Sequence, residues 1–243
     1  MDYDFGYEQW KDEDNSPKLL FKYKKVTTIL DLTRICESLK EHRIYFSKPS
    51  YLNDSMEGKG TDLIGDIGDD LEKVRCDYRV LALSETCFSP VMWSHYADNR
   101  SGICLGFKKG NRLDINNNSS FKEAIKVNYV DGRKEFSADI NQAVENDLTY
   151  KNKDWTYERE WRIIKQTEED YMSYNSTDLA CIVFGEKTPK MIKKLIMNTF
   201  TDVPFYCVES VQKKYCLAIR NLATQKLISN EEELFNDIVN ITL

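Results

Sequence analysis

Short apolar runs, each too brief for a helix of its own and each closed by turn residues, constrain this chain more than any other feature. Leu19-Leu-Phe-Lys-Tyr23, Ile44-Tyr-Phe-Ser47, Arg79 to Glu85, Gly102-Ile-Cys-Leu-Gly-Phe107, Ala124 to Val130, Trp155 to Ile164, Leu179 to Phe184 and Phe205 to Ile219 read as strands or a hairpin. Between them lie stretches with helical spacing. Ile29, Leu30, Leu32, Ile35 and Leu39 share a face after a capping Thr27 or Thr28. Residues 62–76 and 138–149 follow the same pattern, Thr188-Pro189 opens another helix, and Asn230-Glu-Glu-Glu233 has the form of a capping box. The order lacks regular βαβ periodicity, and neither G-x-G-x-x-G nor G-x-x-x-x-G-K-[ST] occurs, which disfavours Rossmann and P-loop sites. The expectation is a polar lead-in over residues 1–17 and a single compact α+β domain over 18–243, with mixed or antiparallel sheets and peripheral helices.

Composition narrows the function classes. The 243 residues are 41% hydrophobic and 30% charged, enough for a core without metal or disulfide staples. A net charge of -6 and only short basic runs argue mildly against broad nucleic-acid binding. The seven cysteines are scattered, with no C-x-x-C, so buried free thiols in a reducing cytoplasm are expected and no metal is. No signal peptide or membrane-spanning run is apparent, which predicts a cytoplasmic protein without a membrane partner.

The chemistry-bearing residues fall into four groups. In Trp155-Thr-Tyr-Glu-Arg-Glu-Trp-Arg-Ile-Ile164, read as a strand, Glu158, Glu160 and Arg162 share one face. Such a face is either a pocket or a solvent edge of salt-bridged charges. In a pocket, two close carboxylates and an arginine suit general-base work or stabilisation of a cationic sugar. His95, within Trp93-Ser-His-Tyr96, is an acid/base or stacking candidate, or a structural histidine. Lys22, Tyr23 and Ser47 lie on or at the end of the first two strands, where they contact a nucleotide or simply alternate. Asn53 and Asp54 form an Asx-type turn or, with Glu57, supply ligands to a substrate or to Mg²⁺.

Taken in order, Leu20-Phe-Lys-Tyr23, Ile44 to Pro49, Asn53 to Glu57, Cys87-Phe-Ser89, Met92-Trp-Ser-His-Tyr-Ala-Asp98, Gly102 to Phe107, the Trp155 to Arg162 stretch and Ile182-Val-Phe-Gly185 resemble the prokaryotic domain-of-unknown-function family 2971 across roughly residues 19 to 220. Ser55 departs from the proline usual there. The layout is also similar to the ADP-ribosyltransferase fold, although a clear Ser-Thr-Ser motif and a first-strand Arg or His are missing. That second resemblance implies an NAD-consuming ADP-ribosyltransferase or glycohydrolase, such as a bacterial toxin or phage-defence effector. Glu160 would then be the catalytic carboxylate, with Glu158 its partner and His95 an assisting residue. Lys22, Tyr23, Ser47, Trp93, Tyr96 and Arg162 would be the NAD contacts, and a protein or nucleic acid the acceptor. Two alternatives stand beside it: a non-catalytic nucleotide- or protein-binding sensor, and a metal-dependent nuclease or phosphoesterase.

Overall fold

A computed structural model describes residues 16–54, 73–110, 118–132 and 140–242. The chain divides into two compact units: residues 1–42, 84–122 and 174–243 form unit 1, and residues 43–83 and 123–173 form unit 2.

In unit 1 a mixed sheet runs in the order β13 (Leu227–Ile228), β12 (Cys216–Asn221), β11 (Phe205–Val211), β10 (Leu179–Phe184), β4 (Ile103–Lys108) and β1 (Leu19–Lys24). The run Ala180 to Phe184 is apolar without alternation because β10 is central, antiparallel to β4 and parallel to β11, and is buried on both faces. Cys181 lies over Gly106, where an added Cβ would come within 2.5 Å of its sulfur. The predicted hairpin of Phe205 to Ile219 is present as the antiparallel β11–β12 pair.

The helix signals hold at their starts. α1 (Ile29–Lys40) begins with a capping box in which the Thr28 hydroxyl accepts from Asp31 N and the Asp31 carboxylate accepts from Thr28 N. A hydrogen bond from the Thr27 hydroxyl at 2.7 Å, with further bonds from Thr28, holds the Asp31 carboxyl down at about 2. Pro90–Tyr96 is a short helix, α2, capped by Ser89. α4 (Lys190–Thr199) starts after Pro189 and bridges the parallel strands β10 and β11, so this segment is a βαβ unit. α5 (Glu231–Thr242) is capped by Asn230, whose side chain accepts from Glu233 N at 2.8 Å.

Unit 2 holds β3 (Tyr78–Ser84, of which Ser84 falls in unit 1), β8 (Glu160–Gln166) and β5 (Ile125–Lys126) in that order, an antiparallel pair β2 (Arg43–Tyr45) and β9 (Tyr171–Ser173), and a parallel pair β6 (Asn128–Val130) and β7 (Tyr150–Asn152). Tyr78, Val80, Ala143, Val144 and Leu148 pack together, with Ile164, Leu52 and Val74 against them. Ala143 and Val144 belong to α3 (Ile140–Asp147). The class is α+β, as the sequence predicts. Of the predicted 62–76 helix, residues 73–76 are helical and the rest lies outside the described residues.

Two expectations are corrected. The Trp155–Ile164 stretch is not one strand. Lys153–Glu158 is a 3-10 helix, Arg159 is left-handed at φ 45°, and β8 begins only at Glu160. The cysteines are not uniformly buried: Cys87, Cys104 and Cys181 are, whereas Cys36 and Cys207 are intermediate and Cys76 and Cys216 exposed. Among the described residues no helix is long and apolar enough to cross a membrane.

Candidate functional site

The residues of unit 2 that bear chemistry assemble around Lys151. Parallel pairing of β6 and β7 sets Tyr129 opposite Lys151, and β5 pairs with β8 so that Ile125 is opposite Arg162. Asn152 caps the following 3-10 helix by accepting from Asp154 N at 2.9 Å. The left-handed Arg159 ends that helix, with its N–H donating to Thr156 O at 3.1 Å. A non-glycine residue there costs of order 1 kcal/mol. The turn leaves both flanking glutamates on the same ammonium.

Lys151 Nζ lies 2.5 Å from Glu158 Oε2 and 3.0 Å from Glu160 Oε2. Arg162 grips Glu160 from the other side, with Nε to Oε1 at 2.7 Å and Nη2 to Oε2 at 2.9 Å. Its remaining arm donates to Leu148 O at 2.7 Å, just beyond the C-terminal end of α3. All four side chains are buried, Arg162 completely. Two acids and two bases make the group formally neutral, which is how charges are kept out of water at tolerable cost. Burial pushes the Glu160 carboxyl up, but Arg162 and Lys151 together outweigh it and hold the carboxyl below its ordinary range. Glu160 is therefore a fixed negative charge near neutral pH, not a proton donor.

Aromatic rings border these charges. The Lys151 ammonium sits 4.9 Å from the centre of the Trp155 ring, and Trp155 and Tyr157 are tilted against each other at 6.0 Å. Both rings are half-buried, so each keeps some surface toward solvent. Tyr129 OH accepts from Glu160 N at 2.8 Å. Burial raises the Tyr129 and Tyr157 phenols above their ordinary value, with Glu158 and other charges adding smaller effects.

The remaining candidates are dispersed. In unit 1, Trp93 is 0% exposed; its indole N–H donates to Cys87 O at 2.7 Å and its ring meets Tyr23 edge-on at 5.2 Å. Tyr23 is also buried, and its hydroxyl donates to Thr86 O at 3.0 Å. These two rings form a core pair and offer no open face for stacking in this conformation. Lys22 and Tyr96 are half-buried and His95 is exposed, with the His95 and Tyr96 rings 6.3 Å apart. In unit 2, Ser47 donates its hydroxyl to Lys48 O at 3.2 Å, while its backbone bridges to Val80. Asn53 is exposed in a bend and Asp54 is buried. Glu57 lies outside the described residues. Among the described residues no group of three His, Cys, Asp or Glu side chains is placed to hold a metal ion.

Sequence reasoning singled out Glu158, Glu160 and Arg162 but missed Lys151, the residue that joins them, and Tyr129. A lysine between Tyr150 and Asn152 carries no local mark. Only the pairing of β6 with β7 reveals its neighbours.

A family model described as "Protein of unknown function (DUF2971)" matches residues 92–163, a segment that runs from α2 through the whole ionic group. No curated protein and no solved structure matches this chain.

Proposed function

We propose that unit 2 carries a non-catalytic binding site for the planar ring of a nucleotide, with Trp155 and Tyr157 as the stacking surfaces. One observation carries this reading: both Glu160 oxygens are taken by Arg162 and Lys151, and Glu158 shares Lys151, whereas the two aromatic rings keep exposed surface. The charged group then serves as a rigid base that fixes the 3-10 helix bearing the rings. Stacking on aromatic side chains is worth about 1–3 kcal/mol per base. The test is calorimetric titration with NAD⁺, ADP-ribose and ATP. At least one should bind, and a Trp155→Ala/Tyr157→Ala variant should lose roughly tenfold or more in affinity while keeping its melting temperature. No binding of any of the three, or binding unaffected by the double substitution, removes the proposal.

A second reading is that the site consumes NAD⁺ as an ADP-ribosyltransferase or glycohydrolase. It is favoured by the permanently ionised Glu160, a charge suited to facing a sugar cation as nicotinamide leaves. A toxin or phage-defence role would follow from this reading alone. Nicotinamide release by the pure chain, abolished in a folded Glu160→Gln variant, selects it. Absence of release, with NAD⁺ bound, leaves the binding reading.

A further inference from the structure

Unit 1 holds a pair of reactive groups that the proposed site does not use. On α4, Lys193 extends its ammonium to the sulfur of Cys207 on β11, with Nζ and Sγ 3.0 Å apart. The sulfur's other contacts are two backbone carbonyls, Gly185 O at 3.8 Å and Val208 O at 3.7 Å. The Lys193 ammonium also lies 5.9 Å from the centre of the Phe184 ring, and Phe184 is the register partner of Cys207. The lysine thus spans its own βαβ unit, from helix to sheet. Cys207 and Lys193 are both only half-buried, so neither residue is sealed in the core. Burial raises the thiols of Cys87, Cys104 and Cys181 above the ordinary value, Cys181 to about 12, which keeps those three protonated.

We propose that Cys207 is a peroxide-modified thiol whose oxidised form is captured by Lys193 as a reversible sulfur–nitrogen cross-link. In the first step the Cys207 sulfur attacks one oxygen of a peroxide. The S–O bond forms, the O–O bond breaks, and the other oxygen leaves as water once the thiol proton is added, giving the sulfenic acid. In the second step the Lys193 nitrogen, freed of one proton to solvent, attacks the sulfenic sulfur. The S–N bond forms, and the S–O bond breaks as hydroxide departs with a second nitrogen proton as water. The net change is the loss of two hydrogens from the chain and consumption of one peroxide. A 3.0 Å separation of the two atoms is a near-attack distance, so capture needs little rearrangement. Thiols reverse the link by attacking sulfur and restoring the amine.

The experiment treats the full chain with hydrogen peroxide and follows intact mass and digest peptides, before and after dithiothreitol. The expected result is a dithiothreitol-reversible link between the peptides bearing Lys193 and Cys207, lighter by two hydrogens. Cys207→Ser should abolish it. Lys193→Arg keeps the positive charge but removes the amine, and there Cys207 should accumulate as a sulfenic acid trapped by a cyclic 1,3-diketone. Circular dichroism of both variants confirms that they are folded. Mapping separates this site from oxidation at Cys36, Cys76 and Cys216. Cys207 oxidised in the unaltered chain without a link to Lys193, Cys207 left unoxidised, or a link that survives either substitution would each overturn the proposal.

Discussion

Two arginine–glutamate pairs in this molecule have nearly the same geometry and opposite surroundings. In unit 2, Arg162 holds Glu160 through Nε and Nη2 at 2.7 and 2.9 Å, with side-chain exposures of 0% and 5%. In unit 1, Arg220 holds Glu209 across the β11–β12 pair at 2.5 and 2.8 Å, with exposures of 33% and 40%. The fork is identical, but only the first has lost its water. Water screens the Glu209 pair and competes for its hydrogen bonds, so that pair contributes little. The Glu160 pair has no such fallback, and removing either partner strands a charge in the interior. Contact geometry alone therefore says little about what an ion pair does; burial decides it.

Glu160→Gln should break the comparison most forcefully. It leaves Lys151 and Arg162 with a single carboxylate between them and should cost about 3–5 kcal/mol in urea unfolding. A loss below about 1 kcal/mol would mean that water reaches the group, and the contrast with Arg220–Glu209 would fail. Acid sharpens the same contrast. Because the folded Glu160 carboxyl lies below its ordinary value of 4.5, its contribution is complete above that value and is lost as pH falls toward the folded one. Unfolding free energy should decline through this acid window, and the Glu160→Gln chain should decline less steeply. Replacing Lys151 by Met and Glu158 by Leu together removes one neutral pair and leaves Arg162–Glu160 intact. The double variant should stay within about 1.5 kcal/mol of the parent, while Lys151→Met alone loses more; equal losses would show that Glu158 is not stranded by the loss of Lys151. Tyr206→Phe, which frees one Asp237 oxygen still bonded by Asn221 at 2.7 Å, should cost about 1 kcal/mol. The smallest effect is expected for Glu209→Gln: a melting-temperature shift of about 2 °C or less, vanishing at high salt.

How much could be read in advance depended on the range of the interactions concerned. The cap of α1 was identifiable to within Thr27 or Thr28, and Asn230 outright, because a cap is decided within three or four residues of chain. The apolar run from Leu179 to Phe184 was legible as a strand for the same reason, whereas its central place between β4 and β11 came only from the pairing. Arg159 was not identifiable. Its left-handed backbone broke a run whose alternation looked continuous, and it moved Glu158 off the strand. Trp93 was misleading in the other direction. The resemblance to the ADP-ribosyltransferase fold implied a ligand-facing ring there, yet its indole N–H donates to Cys87 O inside the core.

Sequence by itself determined the α+β class and the positions of most strands and helices, and it singled out Glu158, Glu160 and Arg162, which the structure brings into one ionic group. These follow from local periodicity, capping chemistry and the scarcity of charges inside apolar runs. Tertiary structure alone decided what those charges do. Pairing β6 with β7 brought in a lysine that no local pattern marks, and the exclusion of water turned an acidic pair into a neutral buried lattice. Charge energies depend on solvent and on neighbours distant in the chain, and neither is encoded in any short stretch of residues.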